Sequence, residues 1–125
     1  MYLVENGIAT NGFGLYTGWN YDADYVGVVK SQNSSTPKSL QVNKTTGFGM
    51  AVTGRDLCVE VGDTITGITL RYYKNGADSM TDISVTKAGN LCVVTIPTDR
   101  DESKIMYLNV IANKGKAVIY NIYME

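Results

Sequence analysis

Ile68-Thr69-Leu70-Arg71-Tyr72-Tyr73-Lys74-Asn75-Gly76 combines a strict alternation of side chains with an abrupt polar ending. Ile68, Leu70 and Tyr72 fall on one side of an extended chain and Thr69, Arg71 and Tyr73 on the other, the two-residue period of a strand with one buried face. Lys74-Asn75-Gly76 then ends the strand as a turn. Just upstream, Ile65 has the wrong parity for the buried side, so Gly67 predicts a β-bulge. The same rhythm continues outward in both directions. Leu57, Val59 and Val61 share a face opposite Cys58 and Glu60, and Asp82-Ile83-Ser84-Val85-Thr86 alternates polar with β-branched apolar residues. Further strands are predicted at residues 2–4, 25–30, 39–42, 49–52 and 91–96. Turns are predicted around Asn11-Gly12, Ser31 to Lys38, Gly54, Gly62 and Lys87 to Asn90. No stretch sustains a helical period for three turns.

The last third holds two β-rich runs, residues 105–112 and 117–124, separated by Asn113-Lys114-Gly115-Lys116. That spacing predicts a hairpin. Met106, Leu108 and Val110 form one face of the first arm, and Val118, Tyr120, Ile122 and Met124 one face of the second. If those faces point inward, strict alternation turns Tyr107, Ile111, Ile119 and Tyr123 outward as an apolar stripe. Such a stripe predicts a protein interface, unless a loop such as Ser31 to Lys38 covers it.

Many short strands with regular turn punctuation predict an all-β sandwich or barrel, of which a two-sheet antiparallel sandwich is the commoner solution at this length. At 125 residues the chain has length for one core, and residues 1–125 are read as a single domain. The formal net charge of −1 supplies no field to attract a phosphate backbone, so nucleic acid is not an expected partner. No apolar run approaches the ~20 residues of a membrane-spanning helix, and no membrane insertion is expected. The opening Met1-Tyr2-Leu3-Val4-Glu5-Asn6-Gly7 lacks the basic start and apolar stretch of a secretory leader. It predicts a product used without export, or one whose leader has been removed.

The chain contains no histidine, which removes Ser-His-Asp and Cys-His catalysis from this chain and thins any metal site. Asp22 and Asp24, or Asp99, Asp101 and Glu102, carry hard oxygen ligands but lack the Gly-spaced loop of a recognised calcium motif, and they are read as solvated acidic loops. No catalytic residues, metal or cofactor are assigned. Cys58 and Cys92, each in a Leu-Cys-Val context, are read as two buried thiols, with a disulfide as the alternative. Asn33-Ser34-Ser35 and Asn43-Lys44-Thr45 match the glycosylation acceptor pattern and are read as chance matches.

Nine tyrosines and one tryptophan are better material for binding than for catalysis. A sugar ring lies its apolar face on an aromatic side chain while neighbouring polar groups hydrogen-bond its hydroxyls. On that chemistry Tyr21, Tyr25, Arg71 and Tyr73 are the candidate carbohydrate-binding residues. Tyr21 and Tyr25 stand beside Asp22 and Asp24, and Tyr73 shares a strand face with Arg71.

Tyr2-Leu3-Val4-Glu5-Asn6-Gly7, followed by Asn11-Gly12-Phe13-Gly14 and Gly18-Trp19, resembles the "N-G-x-F … G … G-W" opening of carbohydrate-binding jelly rolls of the family 4, 9 and 22 type. Ser39-Leu40-Gln41-Val42 is similar to the strand after their Ser-rich loop. Val61-Gly62-Asp63-Thr64 and the strand ending Arg71-Tyr72-Tyr73-Lys74 resemble their "G-x-T-Y-T-L-S-F-Y-x-K" stretch, and Ile119-Tyr120-Asn121-Ile122 their closing strand. The resemblance spans nearly the whole chain through loose, largely structural motifs. It implies a jelly-roll sandwich with Trp19 as a core plug. It also implies two settings: a bacteriophage virion structural or decoration protein assembled in the host cytoplasm, or a glycan-binding module of a secreted or cell-surface carbohydrate-active protein. The expected partners are other virion proteins or further copies of the chain, together with polysaccharide or cell-surface glycan. The family's structural calcium is held by acidic residues after the first "N-G" and in the last strand, where this chain has Ile8, Ala9 and Asn121, and calcium is not expected.

Overall fold

The computed structural model describes residues 1–6, 8–9, 31–32, 40–42, 47–50, 54–104, 106–113 and 117–125. They form eleven strands: β1 Tyr2–Glu5, β2 Ile8–Ala9, β3 Ser31–Gln32, β4 Leu40–Val42, β5 Gly47–Met50, β6 Asp56–Val61, β7 Ile65–Tyr73, β8 Met80–Thr86, β9 Leu91–Thr95, β10 Met106–Ala112 and β11 Ala117–Met124. No helix occurs among the described residues. The expected turn Asn11-Gly12, strand 25–30, Trp19, and residues 51–52 of the strand expected at 49–52 lie outside the described residues. Most of the expected loop Ser31 to Lys38 does too, but Ser31 and Gln32 pair with β4 as a short strand.

The strands make two antiparallel sheets, as expected. β5, β10, β7 and β8 form a four-stranded sheet in that order. The other has seven strands and is organised on β11, which pairs with β6 and, along its length, with β4 and β1. β9 extends this sheet beyond β6. The sheets share one core. β7 and β10 contribute Ile68, Leu70, Tyr72, Met106, Leu108 and Val110, and the seven-stranded sheet contributes Leu3, Val4, Leu57, Val59, Val61, Cys92, Val94, Ile119, Ile122 and Met124. Complete burial of each such aliphatic side chain contributes roughly 1.5–3 kcal/mol.

The bulge expected at Gly67 is present. Ile111 stands opposite Gly67 and Ala112 opposite Ile65, leaving Thr66 as the extra residue of β7. This returns both Ile65 and Ile68 to the core. Glycine is required because a Cβ at position 67 would collide with the Val85 carbonyl oxygen on β8.

The expected C-terminal hairpin does not form. β10 pairs with β5 and β7 in the four-stranded sheet, whereas β11 belongs to the seven-stranded sheet. The segment between them therefore crosses from one sheet to the other. A short polar, Gly-containing spacer is compatible with either connection, and the apolar faces of both arms are satisfied by facing one another across the core.

The predicted outward stripe is corrected along with the hairpin. Ile119 is fully buried, because the register of β11 shifts between Ile119 and Asn121, and the extra residue inverts the parity of the strand's first half. Val118 and Tyr120, expected inward, are only half-buried, while Ile122 and Met124 are in the core as expected. Tyr107 lies on the outer side of β10 by alternation but is 7% exposed, so it is no part of a free surface. Ile111 is exposed and Tyr123 half-buried, on different sheets. The four residues do not form one patch.

Candidate functional site

The outer face of the four-stranded sheet gathers polar and aromatic groups in rows set by strand register. One row runs Gly49, Tyr107, Arg71, Asp82 across β5, β10, β7 and β8, and the next runs Gly47, Asn109, Thr69, Ser84. Directly opposite residues on one face have Cβ atoms about 4.5–5.5 Å apart, close enough for their side chains to act together. Arg71 Nε donates to Asp82 Oδ1 at 2.9 Å. The Thr69 and Ser84 hydroxyls share a hydrogen bond of 2.8 Å. Both pairs are open to solvent, so the Arg71–Asp82 ion pair contributes about 0–1 kcal/mol to stability.

At the end of this face stands Tyr73, opposite Met80. Lys104 Nζ lies 4.5 Å from the centre of the Tyr73 ring and donates to the Ala77 carbonyl oxygen at 3.4 Å. A cation over one side of the ring holds its orientation. The chain after β9 packs against this corner: the Asp101 N–H donates to the Tyr73 carbonyl oxygen at 2.8 Å, and the Asn75 N–H to that of Asp99 at 2.8 Å. Tyr72 faces the other way, into the core. Burial pushes its hydroxyl pKa up, and the carboxylate of Asp99, to which the hydroxyl is hydrogen-bonded, raises it further.

Of the residues selected for carbohydrate contact, Arg71 and Tyr73 thus share one half-buried face. Tyr21 and Tyr25 lie outside the described residues. Thr69, Ser84, Asp82, Asn109 and Lys104 join Arg71 and Tyr73 and were not selected from sequence. Alternation alone puts Thr69 with Arg71, but Asn109 and Ser84 join them only once the pairing of β7 with both β10 and β8 is known.

The outer face of the seven-stranded sheet is different. Tyr2, Tyr123, Cys58 and Val93 stand in one row across β1, β11, β6 and β9. Tyr2 is 40% and Val93 46% exposed. The rings of Tyr2 and Tyr123 are 5.4 Å apart, and a hydrogen bond joins the Tyr123 hydroxyl to the Cys58 thiol. Burial raises the Cys58 pKa, and the nearby Glu125 carboxylate adds to it, so the thiol is held neutral and unreactive. In the adjoining row Asn121 Nδ2 donates to Glu60 Oε2 at 2.8 Å, while the Asn6 N–H donates to Asn121 Oδ1 at 2.9 Å. An amide therefore bridges two groups at the last-strand position where the resembled family carries an acidic calcium ligand. Among the described residues no group of three or more potential metal ligands is present.

Neither protein-family models, curated proteins nor solved structures gave a match to this chain.

Proposed function

We propose that this chain is a non-catalytic structural or decoration protein of a bacteriophage virion, folded as a jelly roll, which aids attachment to surface glycans through the outer face of its four-stranded sheet. The contrast between the two outer faces carries the reading. One presents Arg71, Asp82, Thr69, Ser84, Asn109 and Tyr73, a set of donors, acceptors and an aromatic ring suited to sugar hydroxyls and the apolar side of a sugar ring. The other presents the Tyr2, Tyr123 and Val93 row, suited to contact with a second protein or another copy of the chain. A two-sided module of this kind is anchored by one face and reads its ligand with the other. The jelly-roll assignment is supported by the chain's repeated crossings between sheets, from β5 to β6, β6 to β7, β8 to β9, β9 to β10 and β10 to β11.

Glycan-array binding with the Arg71→Ala and Tyr73→Ala variants tests the ligand face. Both variants are expected to stay folded and to lose binding; retained binding, or no binding by the parent protein, removes the glycan reading. Labelling of purified phage particles with an antibody to the chain tests the setting. Glycan binding without particle labelling favours a module of a secreted or cell-surface carbohydrate-active protein.

A further inference from the structure

Three Asn-Gly pairs occur in the chain, Asn6-Gly7, Asn11-Gly12 and Asn75-Gly76. Asn75-Gly76 is the pair of which both residues are described, and it forms the tip of the turn that follows β7. The Ala77 N–H donates to the Lys74 carbonyl oxygen at 3.0 Å and closes the turn. Asn75 keeps a negative φ while Gly76 has φ +78°, which makes the turn type II, with the peptide plane between Asn75 and Gly76 at its apex.

That apex is open. Asn75 and Gly76 are exposed, and a Cβ at position 76 would meet nothing within 4 Å. The hydrogen bonds of the turn are made by its flanks, from the Asn75 N–H to the Asp99 carbonyl oxygen at 2.8 Å and from the Ala77 N–H to Lys74. Among the described residues, neither the Gly76 N–H, the Asn75 carbonyl oxygen nor the Asn75 side-chain amide makes a hydrogen bond. The apical peptide plane therefore rotates without breaking a hydrogen bond or meeting a side chain, and glycine tolerates the φ values through which it passes.

This freedom lets the two residues react with each other. The Gly76 nitrogen and the Asn75 side-chain carbonyl carbon close a five-membered ring when the plane turns, and a nucleophile held beside its electrophile has the advantage of an intramolecular reaction. A side chain on residue 76 would crowd the approach, and glycine has none. Other described asparagines are held back. Asn90 and Asn121 donate their side-chain amides to Asp63 and Glu60, Asn109 is paired within β10, and each is followed by a larger residue, Leu91, Ile122 or Val110.

We propose that Asn75 is a site of spontaneous deamidation, at which the folded protein converts the turn after β7 to an isoaspartyl linkage. The Gly76 amide gives its proton to hydroxide, and its nitrogen attacks the Asn75 side-chain carbonyl carbon. The new C–N bond forms, the bond to the side-chain nitrogen breaks, and ammonia leaves with a proton from water. Water then opens the succinimide at either carbonyl, giving aspartate or, as the larger product, isoaspartate at position 75. Lys104 Nζ, which lies over the Tyr73 ring, donates to the Ala77 carbonyl oxygen two residues further on. The isoaspartyl link adds one main-chain carbon before that carbonyl and a carboxylate beside Lys74, and so disturbs the corner that orients Tyr73. The proposal is independent of the glycan reading.

Incubation of the purified protein in mildly alkaline buffer, followed by peptide mapping and isoaspartyl methylation, tests it. The peptide containing position 75 is expected to gain about 1 Da and to accept methyl groups. Its conversion should run within about tenfold of the rate in the urea-denatured chain, and Gly76→Ala should slow it at least about tenfold. Asn75→Gln, which keeps the amide on a longer side chain, should abolish it without moving the melting temperature. Conversion in the denatured chain but not in the folded protein, aspartate as the sole product, or a Gly76→Ala variant that converts as fast as the parent overturns the proposal. Tyr73 ring signals that stay in place in the NMR spectrum after conversion would overturn its effect on this corner.

Discussion

Cys58 and Cys92 occupy neighbouring strands but face opposite sides of one sheet. Cys58 stands opposite Val93 and Cys92 opposite Val59, so the two cysteines are one register step apart and alternation sends Cys92 into the core and Cys58 to the outer side. A disulfide between them would require a shift of register that turned core residues outward. Both thiols are free and buried. Alkylation in denaturant without reductant is expected to label two cysteines, and alkylation of the native protein none within the same time. An unlabelled denatured chain would contradict the register.

Gly67 and Gly76 separate two reasons for glycine. Gly67→Ala drives a methyl group into the Val85 carbonyl oxygen, within the pairing of β7 and β8. Its expected cost in urea unfolding is about 1–3 kcal/mol. Gly76→Ala meets nothing within 4 Å and suffers only from φ +78°. About 1 kcal/mol is expected there. Equal effects would indicate that the bulge at Gly67 relaxes.

Ile119 and Ile111 have the same side chain in opposite circumstances, 0% and 45% exposed. Ile119→Ala is expected to destabilise the fold by about 2–5 kcal/mol, as a cavity in a shared core does. Ile111→Ala should stay within about 0.5 kcal/mol of the parent, as a surface change does. Chemical denaturation of the two variants checks this directly. Reversed magnitudes would restore the strict alternation of β11 that its bulge interrupts.

Tyr72 gives the fold an alkaline sensitivity. Its folded pKa is raised by burial and by Asp99, so the neutral hydroxyl contributes stability that is fully present below the unfolded tyrosine's pKa of about 10 and is lost as pH rises through the folded value. Tyr72→Phe removes that dependence and loses a hydrogen bond worth about 1 kcal/mol at neutral pH. Melting curves between pH 8 and pH 11 should fall less steeply for the variant. Parallel curves would show that Tyr72 does not titrate with unfolding.

Asn121 ties the last strand to the first turn through Asn6 and to β6 through Glu60. The melting temperature is expected to be the same with and without a strong chelator. Asn121→Asp replaces an amide donor by a carboxylate facing Glu60, and like-charge repulsion should lower the melting temperature, with added calcium restoring part of it. A fall in the parent protein on chelation alone would reveal a cation site that this amide does not replace.

Hydrophobic alternation within a single strand is local information, and it sufficed for β6, β7, β8 and β9, for the turn at Asn75-Gly76 and for the bulge at Gly67, where a misplaced isoleucine and a glycine announced it. It also placed Arg71 and Tyr73 on one face. The choice of partner strand is not local. Residues 105–112 and 117–124 have the pattern of hairpin arms, yet each finds a better-matched apolar face across the core, and the spacer that fits a hairpin fits a crossing equally well. The bulge in β11 carried no glycine to mark it, so the parity of Ile119 emerged only from its pairing with Val61. The same applies to Asn109 and Ser84 beside Thr69: residues distant in sequence meet because backbone hydrogen bonding and burial of both sheets must be satisfied at once, a condition that no single stretch of the chain contains.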